Sequence, residues 1–332
     1  MGNMVKITDV AKAAGVSPST VSHALNGNRP ISQKTKDRVL AVVDRLGYQP
    51  NTNARALKSK HSGIIGFFAS DITELFVTQI IRGVEKITGA QGLHLLFASG
   101  VEFDYDLHKA LLFLQRRNID GIIVSYEISH KHGIVDLQDI DLPIVTINRD
   151  ISESITSVMP DDFNGGYTAA LHLIGKGARK LAVIAGPKDR FASNERLEGF
   201  KKGVSDSGLK PDNVRVFFGD FYFSSGYDCA EKLLHAYPDI NGLFCANDHM
   251  AAGAIDYARR HHIDVPEKLK VIGYDNREFS EFWPTPISTF SQPLQAMGET
   301  SAELLLSLIH EKTIPENKIL MKSSLIQRHS SE

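Results

Sequence analysis

The sequence predicts an α/β protein in two unequal parts: a small helical headpiece, then a large body of two lobes with parallel sheets. Three observations carry this. In the first fifty positions apolar residues recur at helical spacing. From Ser62 onward short β-rich runs alternate with amphipathic helices, the pattern of parallel strands joined by crossovers. At 332 residues the chain exceeds one ordinary domain, and the alternation runs too long for a single doubly wound sheet.

Composition narrows the function classes. Two cysteines, Cys229 and Cys245, supply neither a disulfide framework nor a metal cluster and suit a reducing compartment. No apolar run approaches the roughly 20 residues that span a bilayer. The N-terminus lacks the apolar core of a secretory signal, so a cytoplasmic protein with no membrane role is expected. The net charge of −2 hides an asymmetry: residues 1–60 hold ten Lys or Arg against three Asp or Glu, the remainder 27 against 36. A basic end on an acidic body attracts nucleic acid at that end alone.

The first stretch to explain is Ile7 to Gly27, ITDVAKAAGVSPSTVSHALNG. Ile7, Val10, Ala11 and Ala14 share one helical face. Thr8 is placed to cap that helix, with Asp9 near its positive end. Gly15 breaks it, because glycine accepts the dihedrals of a tight turn. Ser17 caps a second helix, and Pro18 sits where its missing N–H costs nothing. Val21, Ala24 and Leu25 pack this helix on the first. Ser19, Thr20, Ser22 and His23 then face outward, short polar groups that suit base edges and phosphates. The pattern is a helix-turn-helix whose second helix enters a major groove. Ser32 caps a third helix with Val39, Val42, Val43 and Leu46 on its apolar side, closed by Gly47. The candidate DNA contacts of this module are Thr8, Ser17, Pro18, Ser19, Thr20, Ser22, His23, Asn26 and Arg29. Arg29 and Lys34 suit phosphates, which position a protein without reading sequence.

Tyr48 to Lys60, YQPNTNARALKSK, follows. Pro50 stops the third helix, and Asn51 can cap a short one over about Thr52 to Lys58, marginal by itself in water. Its single large apolar residue, Leu57, has no local core. A wedge into a minor groove accounts for it, with the helix ordering only on DNA. An unstructured linker is the alternative.

In the body, strands are expected at Ile64–Ala69, Leu93–Ala98, Gly121–Ser125, Ile144–Ile147, Leu181–Ile184, Val214–Phe217, Gly242–Cys245 and Lys270–Tyr274. Helices are expected at Phe76–Gly89, Asp106–Arg117, near Gly166–Lys176, and at Arg196–Ser207, Ser225–His235 and His249–His262. After Gln292 come a helix to about Glu311 and strands near Lys318–Met321 and Leu325–Gln327. No heptad-bearing extension follows, which favours dimers over tetramers.

Open α/β sheets bind ligands beyond the carboxyl ends of their strands. Polar residues gather at five such tips: Asp71 with Phe76, then Asn148, Arg149 and Asp150, then Arg190 and Arg196, then Asn247 and Asp248, then Asp275 and Asn276. In register they predict a cleft between lobes. With Phe76, Phe221 and Tyr222, that lining suits a small polar ligand with an apolar face, such as a sugar. No G-x-G-x-x-G, G-x-x-x-x-G-K-[ST] or G-x-S-x-G occurs, and no histidine has a convincing catalytic companion. No enzyme activity, metal site or cofactor is expected.

In ITDVAKAAGVSPSTVSHALNG, LGYQPNTNARAL, GPKDRFASNERLEGF, FCANDHMAAGA and VIGYDNREFSEFWPTPISTFSQP the chain resembles the lactose-repressor/galactose-repressor (LacI/GalR) family of bacterial transcription regulators, along nearly its whole length. The resemblance implies a homodimer that binds a double-stranded, pseudo-palindromic operator. It also implies a periplasmic-binding-protein-like core of two lobes joined by three crossovers. The division is then a headpiece of residues 1–49, a hinge of 50–61 and a core of 62–332. The N-lobe takes about 62–161 with 292–321, and the C-lobe 162–291 with 322–332. By motif position, Pro18, Ser19 and His23 fall at base-reading positions, Leu57 at the minor-groove lever and Ala54 beside it. Many members carry arginine at the place of His23. Imidazole cannot copy a guanidinium's bidentate grip on guanine, so the resemblance does not fix the base preferred there.

In the cleft, Arg196, Asn247, Asp275 and Gln292 match positions that hold the hydroxyls of a sugar effector, and Arg149 resembles the arginine of ribose-type binders. Asp275 would accept two hydroxyls, the arginines would donate and Asn247 would do both. Phe76 and Phe221 would cover the ring, and Asp71 and Arg190 complete the set. Asn247 favours a sugar over a purine. Two arginines also admit a sugar phosphate or sugar acid. A catabolite-control member answering to a phosphoprotein, a purine-responsive member, and a sugar-binding module without a DNA role remain alternatives. So does a mere ion pair between Arg196 and Asp275.

Overall fold

The computed structural model describes residues 5–26, 29–48, 61–125, 139–148, 154–314 and 316–332, without the side chains of Asn26 and Leu75. The hinge expected over residues 50–61, with Asn51, Ala54 and Leu57, lies almost wholly outside the described residues, as does Arg149. The chain divides into two compact units, Met1–Ser62 and Gly63–Glu332.

The first unit holds α1 (Ile7–Ala14), α2 (Pro18–Asn26) and α3 (Gln33–Leu46). Ser17 and Ser32 cap α2 and α3, their hydroxyls accepting the N–H groups of Thr20 and Thr35 at 3.1 and 3.3 Å. Gly15 and Gly47 end α1 and α3 in the left-handed conformation that favours glycine. The start of α1 differs from expectation. Thr8 lies inside the helix, and the flanking residue is Lys6, whose N–H donates to the Asp9 carboxylate at 2.8 Å. A carboxylate on the third helical residue reaches back to that N–H and makes a hydroxyl cap unnecessary. Val10, Ala11, Ala14, Val21, Ala24, Val39 and Val42 form the core of the unit.

The second unit begins with β1 (Ile64–Ala69), α4 (Leu75–Ala90), β2 (His94–Ser99), α5 (Leu107–Gln115), β3 (Gly121–Ser125), β4 (Ile144–Ile147) and β5 (Thr156–Pro160). It continues with α6 (Asp162–Gly175), β6 (Leu181–Ala185), α7 (Phe191–Asp206), β7 (Arg215–Phe218), α8 (Phe223–Ala236), β8 (Gly242–Cys245), α9 (Asp248–Arg260) and β9 (Lys270–Ile272). It ends with α10 (Phe279–Phe282), β10 (Thr289–Ser291), α11 (Leu294–Ile309), β11 (Lys318–Met321) and β12 (Ser324–Ile326). Six strands pair in parallel in the order β11-β5-β4-β3-β1-β2, and four more in the order β7-β6-β8-β9. β10 and β12 form an antiparallel pair.

Several boundaries depart from the sequence reading. β5, TSVMP, has too few β-branched apolar residues to stand out, yet it is wholly buried between β4 and β11. β10 is only three residues long. α6 starts at Asp162 rather than near Gly166, because Asp161 caps it by accepting the Asn164 N–H at 3.0 Å. Gly165 and Gly166 sit within that helix. A side chain at Gly166 would strike the Arg196 carbonyl, and one at Gly199 the Phe163 carbonyl, so glycines here let α6 and α7 approach.

The chain passes between the two large sheets three times. It leaves β5 through Asp161 into α6, whose Ala169, Ala170 and Leu173 join the core beneath the four-stranded sheet. It returns between β10 and α11 through Gln292 and Pro293, since Phe290 belongs to that core and Leu294 and Met297 to the core of the six-stranded lobe. It leaves again between β11 and β12 through Lys322 and Ser323. Among the described residues no helix is long and apolar enough to cross a membrane.

α4 and α11 touch through two glycines. A Cβ at Gly298 would collide with the Ile80 carbonyl, and one at Gly83 with the Gln295 carbonyl. Both obstacles are backbone, so neither yields by a rotamer change. Gly298→Ala is therefore expected to cost about 1–3 kcal/mol, read as a lower urea midpoint with an unchanged slope. An unchanged midpoint would show that the two helices can part freely.

Candidate functional site

Residues that follow the strands of both lobes line a cleft of about 760 Å³. The six-stranded lobe contributes Ser70, Asp71, Glu74, Phe76, Gln79, Arg82, Tyr105 and Asn148. The four-stranded lobe contributes Asp162, Arg190, Arg196, Phe221, Tyr222, Asn247, Asp275 and Arg277, and Gln292 enters from a crossover. Asp71, Phe76, Arg190, Arg196, Phe221, Asn247, Asp275 and Gln292, all singled out from the sequence, are thus brought together.

Arg196 is the best-anchored polar group. It sits on α7 rather than in a loop and is 5% exposed. Its Nε donates to Asp162 Oδ1 at 2.8 Å and its Nη1 to the Ala246 carbonyl at 2.6 Å. Nη1 also lies 3.7 Å from Asp275 Oδ1, and the guanidinium lies 3.7 Å over the Tyr274 ring. Burial works against this charge, but Asp162 and then Asp275 outweigh it and hold the guanidinium above its ordinary pKa. Burial pushes the Asp162 carboxyl up, against the pull of Arg196. The expected ion pair of Arg196 with Asp275 forms at 3.7 Å, but it is not alone: Asp162 is the closer partner at 2.8 Å. No local pattern marks Asp162, because it follows β5, a strand without a dense apolar run.

The other polar groups are held by their own elements. Asn247 caps α9: its Oδ1 accepts the Met250 N–H at 2.9 Å, and its Nδ2 donates to the Phe221 carbonyl at 2.8 Å. One lone pair and one N–H remain for a ligand. Asp275 Oδ1 accepts from Gln292 Nε2 at 2.8 Å. Asp71 accepts from the N–H and hydroxyl of Thr73, which hold its carboxyl below the usual range. Asn148, Phe221 and Asp275 all have positive φ, at 65°, 72° and 98°. Non-glycine residues in that region concentrate where a structure presents side chains for function. The Asn148 Oδ1 is enclosed and has no hydrogen-bond partner among the described residues. Across the mouth, Arg277 Nη2 lies 3.8 Å from a Glu74 oxygen on the opposite lobe.

Behind the cleft wall Asp248 is fully buried. Its oxygens accept the Thr289 hydroxyl at 2.6 Å and the Arg277 N–H at 2.7 Å. Burial, then the charge of Asp275, pushes its carboxyl up to about 8.

In the headpiece, Ser17, Pro18 and Ser19 are exposed and Thr20, Ser22 and His23 half-buried, while Val21 and Ala24 of the same helix are buried. The Ser17 hydroxyl lies 2.7 and 2.8 Å from those of Ser19 and Thr20, which makes one polar corner at the start of α2. The His23 Nδ1 is enclosed, with no hydrogen-bond partner among the described residues. Thr8 and Arg29 are exposed, and α2 ends at Asn26. Among the described residues no group of three His, Cys, Asp or Glu is arranged to hold a metal ion.

Comparison with known proteins agrees with this geometry. Residues 6–51 match the family described as bacterial regulatory proteins, lacI family, and residues 170–331 match the periplasmic binding protein-like domain. The chain is 33% identical over 330 residues to the HTH-type transcriptional repressor PurR of Aliivibrio salmonicida (strain LFI1238), covering 98% of this chain and 99% of the relative. Its structure is similar to the Lac repressor dimer bound to operator and the anti-inducer ONPF, with a TM-score of 0.85, 27% identity and 99% of each chain covered. It is also similar to the transcriptional regulator CelR in complex with cellobiose, with a TM-score of 0.71, 28% identity and 98% and 99% coverage.

Asp248 carries a test. A carboxyl with a folded pKa of about 8, above the ordinary 3.8, binds its proton more tightly in the folded state. Its contribution to stability is complete below the lower value and is lost as pH rises through the higher one. Asp248→Asn is expected to remove that slope, so urea midpoints of the variant gain on wild type from pH 4 to pH 8. Parallel profiles would show the carboxyl ionised throughout.

Proposed function

Because the chain belongs to the lacI family of bacterial regulatory proteins, we propose that it binds a pseudo-palindromic operator as a homodimer, with an affinity set by a small neutral sugar held between its lobes. It is a DNA-binding transcription regulator with a periplasmic-binding-protein-like core, not an enzyme. The proposed core divides into an N-lobe of about 62–161 with 292–321 and a C-lobe of about 162–291 with 322–332. The cytoplasm is the proposed compartment.

The charge balance of the cleft carries the ligand class. Among the described lining residues, the carboxylates are Asp71, Glu74, Asp162, Asp275 and Glu278, and the guanidiniums Arg82, Arg190, Arg196 and Arg277. Arg196 is already matched by Asp162 and Arg277 by Glu74. A phosphate would meet more carboxylates than cations among the described lining residues. Hydroxyls, which both donate and accept, suit Asp275, Asn247 and Gln292. Phe76 and Phe221 offer the apolar cover that the carbon face of a sugar needs. The cellobiose bound to the similar regulator CelR supports the same class. A purine is the second reading: the PurR relative and the aromatic groups Phe76, Tyr105, Phe221 and Tyr222 around the cleft favour it.

At the other end, Thr8, Ser17, Pro18, Ser19, Thr20, Ser22, His23, Asn26 and Arg29 are the proposed operator contacts, with Asn51, Ala54 and Leu57 in the hinge. The similar Lac repressor dimer bound to operator supports this assignment. Duplexes selected from a random library by the full chain are expected to contain two inverted half-sites. Their affinity should fall steeply with salt, by about 10³ between roughly 50 and 200 mM for some six phosphate contacts. A flat dependence would remove the phosphate anchoring.

Thermal-shift screening with D-ribose, cellobiose, glucose 6-phosphate and hypoxanthine separates the ligand classes, since a bound ligand raises the midpoint by mass action. A neutral sugar should raise it in wild type and not in Asp275→Ala, whose duplex binding stays intact. The largest rise with the phosphate would overturn the neutral class. The largest rise with hypoxanthine would install the purine.

A further inference from the structure

The three crossovers each send one side chain into the same cluster. Asp162, just past the first crossover, accepts from Arg196 Nε at 2.8 Å. Gln292, in the second, donates to Asp275 at 2.8 Å. Ser323, in the third, accepts the Tyr274 hydroxyl at 3.0 Å. The three recipients meet one another: Arg196 lies 3.7 Å over the Tyr274 ring and 3.7 Å from Asp275. Tyr274 also stacks on Phe290 at 5.2 Å, two residues before Gln292. The Asp161 N–H donates to the Met321 carbonyl at 2.8 Å, so the first and third crossovers are also bonded directly.

We infer that Asp162, Tyr274 and Ser323 are positioning residues that tie the effector-facing Arg196 and Asp275 to the angle between the lobes. This rests on the reading of the cleft as the effector site. Any rotation of one lobe on the other is absorbed in these short crossovers, where Gln292 and Ser323 sit and beside which Asp162 opens α6. Arg196 cannot follow them independently. Its Nη1 is pinned to the Ala246 carbonyl and its plane to the Tyr274 ring. Few lobe angles therefore satisfy all three ties together. A ligand that engages Arg196 and Asp275 binds those angles best, which is the differential affinity that any ligand-driven shift requires.

The ties are testable without a ligand. Full-length protein carrying spin labels at Glu85→Cys on α4 and Lys232→Cys on α8, both exposed sites on different lobes, reports the inter-lobe distance distribution. The native Cys229 and Cys245 are buried. Tyr274→Phe keeps the ring and its stacking but loses the bond to Ser323; it is expected to broaden the distribution. Ser323→Ala should do the same, and Asp162→Asn should broaden it through the first crossover. Once Tyr274→Phe is present, Gln292→Ala should add less than its separate effect, because both act on one cluster. A merely structural role would lower the thermal midpoint and leave the distribution of the folded protein unchanged. Wild-type distributions in both Tyr274→Phe and Ser323→Ala would overturn the inference. Failure of every compound in the thermal screen, with the broadening present, would instead overturn the reading of the cleft and leave the ties standing as a hinge device.

Discussion

The buried ion pair between Arg196 and Asp162 is the constraint on which the effector-binding end of this molecule depends. Taking two charges out of water costs several kcal/mol per ion, and the mutual attraction repays it only when the remaining donors and acceptors are also satisfied. Arg196 meets that demand with Asp162, the Ala246 carbonyl and the face of Tyr274. Loss of one partner from such a pair costs about 3–5 kcal/mol, because the other charge is stranded. The close approach of α6 and α7 at Gly166 and Gly199 makes the pair possible, since the two residues sit on those two helices. The pair fixes a guanidinium at the wall of the cleft.

Magnitudes separate this pair from the other charged contact in the cleft. Glu74 and Arg277 bridge the lobes at 3.8 Å, but the Glu74 side chain is 54% exposed. Such pairs contribute about 0–1 kcal/mol and weaken with salt. That contact can close across a ligand and reopen at little cost. The lobe angle is set instead where the chain crosses, by the hydrogen bonds of Asp162, Gln292 and Ser323 and by the backbone bond from Asp161 to Met321. The mouth is soft and the hinge is specified, a combination that admits a ligand and still registers its presence.

What the sequence disclosed follows from how local each signal is. The headpiece was almost fully legible: helical spacing, Ser17, Ser32, Gly15 and Gly47 act within a few residues. The exception, Thr8, shows a nearby carboxylate at Asp9 replacing a hydroxyl cap. Strands dense in Val, Ile and Phe, such as β1 and β3, announced themselves. β5 did not, because Thr156, Ser157 and Pro160 mask a strand whose burial comes from neighbours far along the chain. Losing β5 hid Asp162, and with it the closer partner of Arg196. Gly166 and Gly199 mark where α6 and α7 meet, a contact that no local pattern signals. Seven of the eight cleft residues follow from strand tips, a topological rule, and Gln292 from the family resemblance. Their bonds to one another, and the part played by Tyr274 and Ser323, depend on contacts that no periodicity encodes.

The division of labour between the two units follows from magnitudes as well. Phosphate contacts from a basic headpiece give affinity without choosing a sequence. In the proposed operator contact, selectivity rests on short groups of α2, a helix without an arginine to grip guanine. Such a reader gains most from having two copies held in register, as in the proposed homodimer. Coupling between a ligand site and a distant site is typically about 1–3 kcal/mol, whereas nearly complete switching needs about 5.5 kcal/mol of differential binding. One cleft falls short of that figure, and two clefts acting on one operator approach it. A cleft that favours only a few lobe angles loses least of the ligand's differential affinity to slack in the hinge. The polar ties at the crossovers and the need for two subunits are thus two answers to the same shortage of coupling energy.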